Sequence, residues 1–258
     1  MLVPFYKYQG TGNDFVIIDN RSLFFDKNNT KLVEKLCNRK FGIGADGLIL
    51  LENDDVSDFR MIYFNSDGNE SSMCGNGGRC VVAFARMLGL IKNETTFKAI
   101  DGEHYARIQG DLVSLQMQNV AMIETGEGYV FLNTGSPHHV QFESQLNTID
   151  VKKEGAALRY TKYSEEGSNV NFAEKISDDI FAVRTYERGV EDETLSCGTG
   201  VTAVAIAANK LGKTDANKIK LKTPGGELTV TFERQNNIYE NVFLTGSATY
   251  VYKGEIVC

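Results

Sequence analysis

The chain repeats itself at a single offset of 123 residues, and this repeat constrains the fold more than any other feature. Cys74-Gly75-Asn76-Gly77 falls on Cys197-Gly198-Thr199-Gly200 without a gap. Other positions obey the same offset: Thr11-Gly12 and Thr134-Gly135, Gly44 and Gly167, Tyr63 and Tyr186, Leu88-Gly89 and Leu211-Gly212, Gly102 and Gly225. So many coincidences indicate an internal duplication, with halves 1–122 and 123–258 and a boundary near 119–128.

Each half shows strand-like runs followed by a strongly apolar helical run. Strands are predicted at 3–8, 14–18, 48–51, 59–64, 129–132, 139–142 and 180–186. The helical runs at 79–88 and 201–211 are apolar on nearly every side, so other elements must surround them. We therefore predict an α+β fold of two pseudo-symmetric halves. Each is a curved, mostly antiparallel sheet wrapped around a buried central helix, with the active site in the cleft between them.

Charge and cysteine content indicate the class of partner and the compartment. A net charge of −7 and a pI near 5.1 disfavour nucleic acid or an anionic membrane as the main partner, so a small-molecule partner is expected. No apolar run is long enough for a signal peptide or a membrane span. Five cysteines without paired spacing do not suggest a secreted disulfide framework. These features predict a cytoplasmic protein.

The two repeated cysteines lie where a thiolate is favoured. Cys74 and Cys197 each precede a glycine-rich turn that opens a predicted central helix. The first N–H groups of a helix lack internal partners, and the helix dipole adds partial positive charge there. Both effects lower the pKa of a thiol and allow the backbone to hold a carboxylate. Each half therefore offers a carboxylate site beside a thiol.

Two such thiols suit one particular reaction. A thiolate on one face of a carbon removes an α-proton while a thiol on the other face supplies one, which inverts the configuration. For Cys74 and Cys197 the alternatives are a packing role and a disulfide formed under oxidation. We assign a packing role to the other three cysteines, Cys37, Cys80 and Cys258. A metal site is disfavoured because the chain has no Cys-x-x-Cys and only three histidines.

Motifs along essentially the whole chain resemble a known family. The first half contains Gly10-Thr11-Gly12-Asn13-Asp14-Phe15, Gly42-Ile43-Gly44-Ala45-Asp46-Gly47, Phe64-Asn65-Ser66-Asp67-Gly68 and Met73-Cys74-Gly75-Asn76-Gly77-Gly78-Arg79-Cys80. The second contains Gly135-Ser136-Pro137-His138, Asn169-Val170-Asn171-Phe172, Tyr186-Glu187-Arg188-Gly189, Glu193-Thr194 and Ser196-Cys197-Gly198-Thr199-Gly200. In this order they resemble diaminopimelate epimerase, which interconverts LL- and meso-diaminopimelate in lysine and peptidoglycan-precursor biosynthesis.

The resemblance implies roles for individual residues. Cys74 and Cys197 are the expected catalytic pair, and His138 and Glu187 are the polar residues expected to poise them. The expected substrate-binding residues are Asn13, Asn65, Gly75, Asn76, Asn169, Glu187, Arg188, Gly198 and Thr199. No cofactor and no metal are expected, and a homodimer is one compatible assembly. Two departures concern binding of the distal group: Gly47 replaces a glutamine of some members, and Ser136 an asparagine of many.

Rival functions differ in what they require of the site. A proline-racemase-like isomerase on the same fold would keep both cysteines but would need no distal ammonium and carboxylate site. A non-catalytic amino-acid-binding protein would be expected to lack a cysteine, and both are present. A pyridoxal-phosphate racemase is disfavoured because two thiols leave the cofactor without a task. The sequence therefore predicts a cofactor-independent amino-acid epimerase.

Overall fold

The computed structural model describes all residues from Met1 to Cys258, and they form two compact units. Unit 1 comprises Met1–Leu115 and Gly246–Cys258, and unit 2 comprises Gln116–Thr245. The C-terminal segment belongs to unit 1 because its strand pairs antiparallel with the first strand, from Leu2↔Val257 to Gln9↔Thr249. The halves 1–122 and 123–258 stay a prediction about the duplication, since the compact units divide the chain differently.

Unit 1 contains two helices and nine strands. In chain order they are β1 (Leu2–Gly10), β2 (Asn13–Asp19), α1 (Thr30–Cys37), β3 (Gly47–Glu52), β4 (Phe59–Asn65), β5 (Glu70–Ser71), α2 (Gly75–Met87), β6 (Glu94–Ala99), β7 (Gly102–Gln109), β8 (Leu112–Gln116) and, at the C-terminus, β18 (Thr249–Val257). Helix α1 begins after Asn29, whose side chain accepts a hydrogen bond from the backbone N–H of Leu32.

Unit 2 contains the remaining elements. They are β9 (Ile123–Gly126), β10 (Tyr129–Asn133), β11 (Pro137–Phe142), a 3₁₀ turn (Leu146–Thr148), α3 (Val151–Lys162), β12 (Asn169–Ser177), β13 (Ile180–Glu187), β14 (Asp192–Thr194), α4 (Gly198–Lys210), β15 (Lys218–Thr223), β16 (Gly226–Gln235) and β17 (Ile238–Ser247). None of the four helices is long and apolar enough to cross a bilayer.

Strand pairing follows the same plan in each unit. Parallel pairs join β2 to β3 and β4 to β6 in unit 1, and β11 to β12 and β13 to β15 in unit 2. Each parallel pair is separated in sequence by a helix, because parallel strands need a long crossover connection. The other registered pairs are antiparallel, as between β3 and β4 or β12 and β13. The predicted mostly antiparallel α+β architecture is confirmed.

Each unit surrounds one helix with its sheet. Helix α2 contacts strands β1, β2, β3, β4, β7 and β18, and ten of its residues are buried, Phe84 among them. Helix α4 contacts β10, β11, β12, β13, β15 and β16, and it is buried from Gly200 to Asn209 without interruption. A helix apolar on every side is stable only in such surroundings. The two predicted buried central helices are therefore confirmed.

Candidate active site

Cys74 lies at the N-terminus of the central helix of unit 1. It is the N-cap of α2, with extended backbone angles of φ −83° and ψ 128°, and its side chain does not cap the helix. Its carbonyl accepts the first helical hydrogen bond, from Gly78 N at 2.7 Å. The N–H groups of the first turn, at Gly75 and Asn76, thus lie beside the thiol, where they favour a thiolate or a bound carboxylate.

Hydrogen bonds between three side chains fix which group faces this thiol. Asn13 Nδ2 donates to Asp46 Oδ2 at 2.6 Å, and Asn76 Nδ2 donates to Asn13 Oδ1 at 3.3 Å. The carboxylate accepts only, so the Asn13 amide must present its oxygen away from Asp46. That oxygen lies 3.5 Å from Cys74 Sγ. Asn13 and Asn76, both predicted as site residues, are therefore next to the predicted catalytic thiol.

Arg79 is a buried cation close to the same helix end, and no role was predicted for it from the sequence. Its side chain is fully buried and donates to Thr11 Oγ1 at 3.1 Å, Asn76 Oδ1 at 3.0 Å and Gly75 O at 3.4 Å. These acceptors are neutral, and burial lowers the pKa of the guanidinium. A buried charge normally has a compensating partner, so this cation adds to the attraction for an anion at the N-terminus of α2.

The corresponding position of unit 2 is neutral. Thr202 occupies the place of Arg79 in the repeat, and its hydroxyl donates to Gly198 O at 2.9 Å. Cys197 is the N-cap of α4, with φ −116° and ψ 112°, and its Sγ lies 3.5 Å from Thr199 Oγ1. Thr134 Oγ1 donates a hydrogen bond to the Thr199 carbonyl at 2.8 Å. The duplication thus repeats the thiol position but gives the two thiols different electrostatic surroundings.

Gly200 allows a buried amide to approach the start of α4. A Cβ at this position would lie 2.4 Å from Asn171 Oδ1 and 3.3 Å from Cys197 Sγ. Asn171 cannot easily withdraw, because it is fully buried and hydrogen-bonded to Thr185 and to the backbone of His139. The glycine is therefore required by close packing beside the thiol.

The two repeat-related glycines provide a matched prediction. We expect Gly200→Ala to lower the free energy of unfolding by about 1–3 kcal/mol and to reduce activity, because Asn171 must move. Gly77→Ala should be nearly neutral, since its Cβ would meet only side-chain atoms of Ile49, Met61 and Phe15, at 3.3–3.4 Å. Alanine also favours a helix by up to about 1 kcal/mol relative to glycine. Urea unfolding of both variants tests this, and equal losses would contradict it.

His138 is fully buried on β11, and only one of its ring nitrogens has a partner in the protein. Nδ1 lies 3.1 Å from Asn171 Nδ2, whereas Nε2 has no hydrogen-bond partner. Burial lowers the pKa of His138 to about 3, with a contribution from the charge of Arg188. The imidazole is therefore neutral at physiological pH.

Asn169 and Arg188, both predicted binding residues, form one connected group. Arg188 N donates to Asn169 Oδ1 at 2.9 Å, and Asn169 Nδ2 donates to Ser136 Oγ at 3.0 Å. The guanidinium of Arg188 is exposed, and its Nη1 donates to Glu166 O at 2.6 Å. It lines a cavity of about 460 Å³ together with Phe131, Asn133, Pro137, Tyr163, Glu166 and Gly167.

The other predicted residues take separate positions. Asn65 is exposed at the end of β4, and Glu187 is half-buried at the end of β13. Gly47 begins β3, where a Cβ would lie 2.6 Å from Phe64 O, so the strand pairing leaves no room for a side chain at this position. Cys37 and Cys80 are buried, and burial raises the pKa of both thiols to about 12.

Solved structures define the class of fold. The chain superposes on a Bacillus anthracis phenazine biosynthesis protein of the PhzF family with a TM-score of 0.78, 15% identity and full coverage of both chains. It superposes on a hydroxyproline epimerase from Agrobacterium vitis with a TM-score of 0.71 and 14% identity, over 99% of this chain and 92% of that one. These likenesses establish the fold that the chain shares with PhzF-type proteins and the hydroxyproline epimerase.

Sequence comparison identifies the family within that fold. The diaminopimelate epimerase family model matches residues 5–123 and 130–251. A diaminopimelate epimerase of Flavobacterium psychrophilum is 60% identical over 253 residues, covering 97% of this chain and 99% of that protein. One from Chlorobaculum tepidum is 40% identical over 258 residues, covering 96% and 98%. The chain belongs to the diaminopimelate epimerase family, and the predicted membership is confirmed.

Proposed function

We propose that the chain is a cofactor-independent epimerase that interconverts LL- and meso-2,6-diaminopimelate. The observation that carries the proposal is a cysteine at the N-terminus of the buried central helix of each unit. Such a position favours the thiolate and a nearby carboxylate. The family membership supports the choice of substrate, and it places the enzyme in lysine biosynthesis and the supply of peptidoglycan precursors.

The proposed chemistry needs both thiols, acting from opposite faces of one α-carbon. One thiolate takes the α-proton, so a C–H bond breaks and an S–H bond forms. The other thiol gives its proton to the opposite face, so an S–H bond breaks and a new C–H bond forms. The reverse reaction exchanges the roles of Cys74 and Cys197. No electron leaves or enters, and the reacting carboxylate is held by backbone N–H groups at a helix N-terminus.

Polar residues of each unit are proposed to bind the remaining charges of the substrate. Diaminopimelate carries two ammonium and two carboxylate groups, so it requires oxygen acceptors and a cationic donor. We assign Asn13, Asn65, Asn169 and Glu187 as hydrogen-bond acceptors or donors to the substrate. Arg188 is the cationic donor that binds a substrate carboxylate. The 460 Å³ cavity beside Arg188 gives its exposed guanidinium access to a ligand.

Incubation with LL-diaminopimelate in heavy water tests the function. The pure protein, under reducing conditions and without added cofactor, should form the meso isomer and incorporate deuterium at one α-carbon. Chiral chromatography and mass spectrometry score inversion and exchange together. Exchange of proline instead of diaminopimelate would favour the proline-racemase-like alternative. The absence of both reactions would contradict the proposal as a whole.

We also propose a cytoplasmic location and a homodimeric assembly. A mechanism that needs one thiolate and one thiol requires a reducing compartment, because oxidised cysteines cannot exchange protons. The final strand, β18, exposes the side chains of Tyr250, Val251, Tyr252 and Val257, and contact with a second copy would cover such exposed apolar residues. Sedimentation equilibrium distinguishes the dimer from a monomer.

A further inference from the structure

The orientation of one buried amide, that of Asn171, is fixed by its neighbours. Asn171 is fully buried on β12, and its Nδ2 lies 2.9 Å from the backbone carbonyl of His139. A carbonyl oxygen only accepts, so the atom facing it must be the amide nitrogen. The hydroxyl of Thr185 donates to the other amide atom, Oδ1, at 3.0 Å. A flipped amide would still meet the Thr185 hydroxyl, which can also accept, but it would lose the hydrogen bond to the His139 carbonyl and place two oxygens against each other.

This orientation determines which nitrogen of His138 carries the proton. The same Nδ2 lies 3.1 Å from His138 Nδ1 and has a second N–H to donate. Nδ1 must then be the acceptor and cannot hold a proton. A neutral imidazole with an unprotonated Nδ1 has its proton on Nε2.

The protonated nitrogen has no acceptor within the protein. His138 Nε2 is buried and makes no hydrogen bond. Leaving a buried N–H without an acceptor is unfavourable, so a ligand oxygen or a thiolate that accepts a hydrogen bond from it is favoured. Asn171 thus converts His138 into a donor: Nδ1 is occupied, and Nε2 already holds its proton.

We propose that Asn171 is a positioning residue, which holds His138 in the Nε2–H tautomer so that this side chain acts as a hydrogen-bond donor and not as a base. The proposal rests on the epimerase function proposed above and deepens it. In that reaction the Nε2–H group stabilises an anion, either the thiolate or the substrate carboxylate, and the α-proton moves only between carbon and sulfur. Asn169, two residues earlier on β12, has a different task, since it contacts Ser136 and Arg188.

The tautomer can be measured directly in the unaltered protein. The chain has three histidines, so two-bond ¹H–¹⁵N imidazole spectra contain three ring systems, and His138→Asn identifies the relevant one. We expect His138 at pH 7.5 to be neutral with the proton on Nε2. A proton on Nδ1, or an imidazolium, would overturn the proposal whether or not the protein turns over diaminopimelate. The result is therefore independent of the proposed function.

Asn171→Asp tests the consequence for catalysis. A carboxylate in place of the amide accepts from Nδ1–H, so the ring should become the Nδ1–H tautomer or an imidazolium. We expect kcat to fall by about 10–100-fold, the range typical of lost supporting hydrogen bonds. A switched tautomer with wild-type kcat, or an unchanged tautomer, would overturn the proposal.

Two further variants separate positioning from general damage to unit 2. Asn209→Asp also places a carboxylate at a buried asparagine, one that accepts from Arg234 and Tyr239, and it should leave the His138 spectrum and kcat unchanged. Thr185→Val removes the donor to Asn171 Oδ1 without adding charge, and it should lower kcat less than Asn171→Asp does. If Asn171→Asp fails to fold, the spectrum of the wild-type protein still decides which ring nitrogen of His138 holds the proton.

Discussion

Cys74→Ala and Cys197→Ala are each expected to lower epimerisation of LL-diaminopimelate by about 10²–10⁴-fold, the usual contribution of a general acid or base. Each direction of the proposed reaction needs one thiolate and one thiol, so neither residue can replace the other. Serine in either place should leave weak activity, because a hydroxyl is a poor base near neutral pH. Chiral chromatography of the two isomers measures the rate.

Isotope exchange distinguishes this two-thiol mechanism from a single-base one. If one cysteine both removed and returned the proton, one of the alanine variants would still exchange the α-proton and invert the configuration of the α-carbon. We expect neither variant to invert. Cys258→Ala provides the matched control, because this cysteine is at the C-terminus and outside the helix N-termini. Retention of more than about a tenth of wild-type turnover by either single variant would rule out the assignment.

The repeat predicted the central helices well, but not where they begin. The apolar runs predicted helices from residues 79 and 201, whereas α2 begins at Gly75 and α4 at Gly198. Glycine disfavours a helix by about 1 kcal/mol relative to alanine, which explains the late predicted starts. The glycines nevertheless join the helices because both first turns are packed, with Gly77 and Gly200 buried. Tertiary packing outweighs local propensity at these positions.

One helix was missed for a related reason. Helix α3 has a glycine, Gly155, in its interior, and the sequence pattern predicted no element over Val151–Lys162. In the structure a Cβ on Gly155 would lie 2.4 Å from Tyr186 Cβ, so the glycine lets this helix pack closely on β13. Its N-cap is Asp150, which accepts from Lys153 N. The repeat offset from α1, which begins at Thr30, was the available signal.

The candidate site shows the same division between local and distant information. The position of Cys74 and Cys197 at helix N-termini could be predicted because it depends on the adjacent residues, namely the turn that opens each helix. The contacts of Arg79 and Asn171, by contrast, involve partners far away in sequence. Arg79 reaches back 68 residues to Thr11, and Asn171 meets His138 across 33 residues through the parallel pairing of β11 and β12. Such contacts follow from the strand order and register, which a single sequence does not specify.

Arg188→Lys is expected to lower kcat/KM for diaminopimelate by about 100-fold. An ammonium cannot reproduce the two parallel donors of a guanidinium, and energy from the distal carboxylate helps to position the reacting carbon. The backbone hydrogen bond from residue 188 to Asn169 does not depend on the side chain, so the loop should keep its conformation. Arg21→Lys is the control, since it removes a two-pronged contact, with Asp19, in unit 1.

The same arginine should govern the choice among substrates. A carboxylate bound by Arg188 at the distal end makes lysine, which lacks that group, a very poor substrate, and proline offers neither distal charge. α-Proton exchange in heavy water, run side by side for diaminopimelate, lysine, glutamate and proline, measures the preference. Arg188→Lys should reduce the ratio between the exchange rates of diaminopimelate and lysine, because the guanidinium that discriminates between these two substrates is absent. Comparable exchange of lysine or proline by the wild-type protein would instead mean that the cysteines serve an isomerase with no distal site.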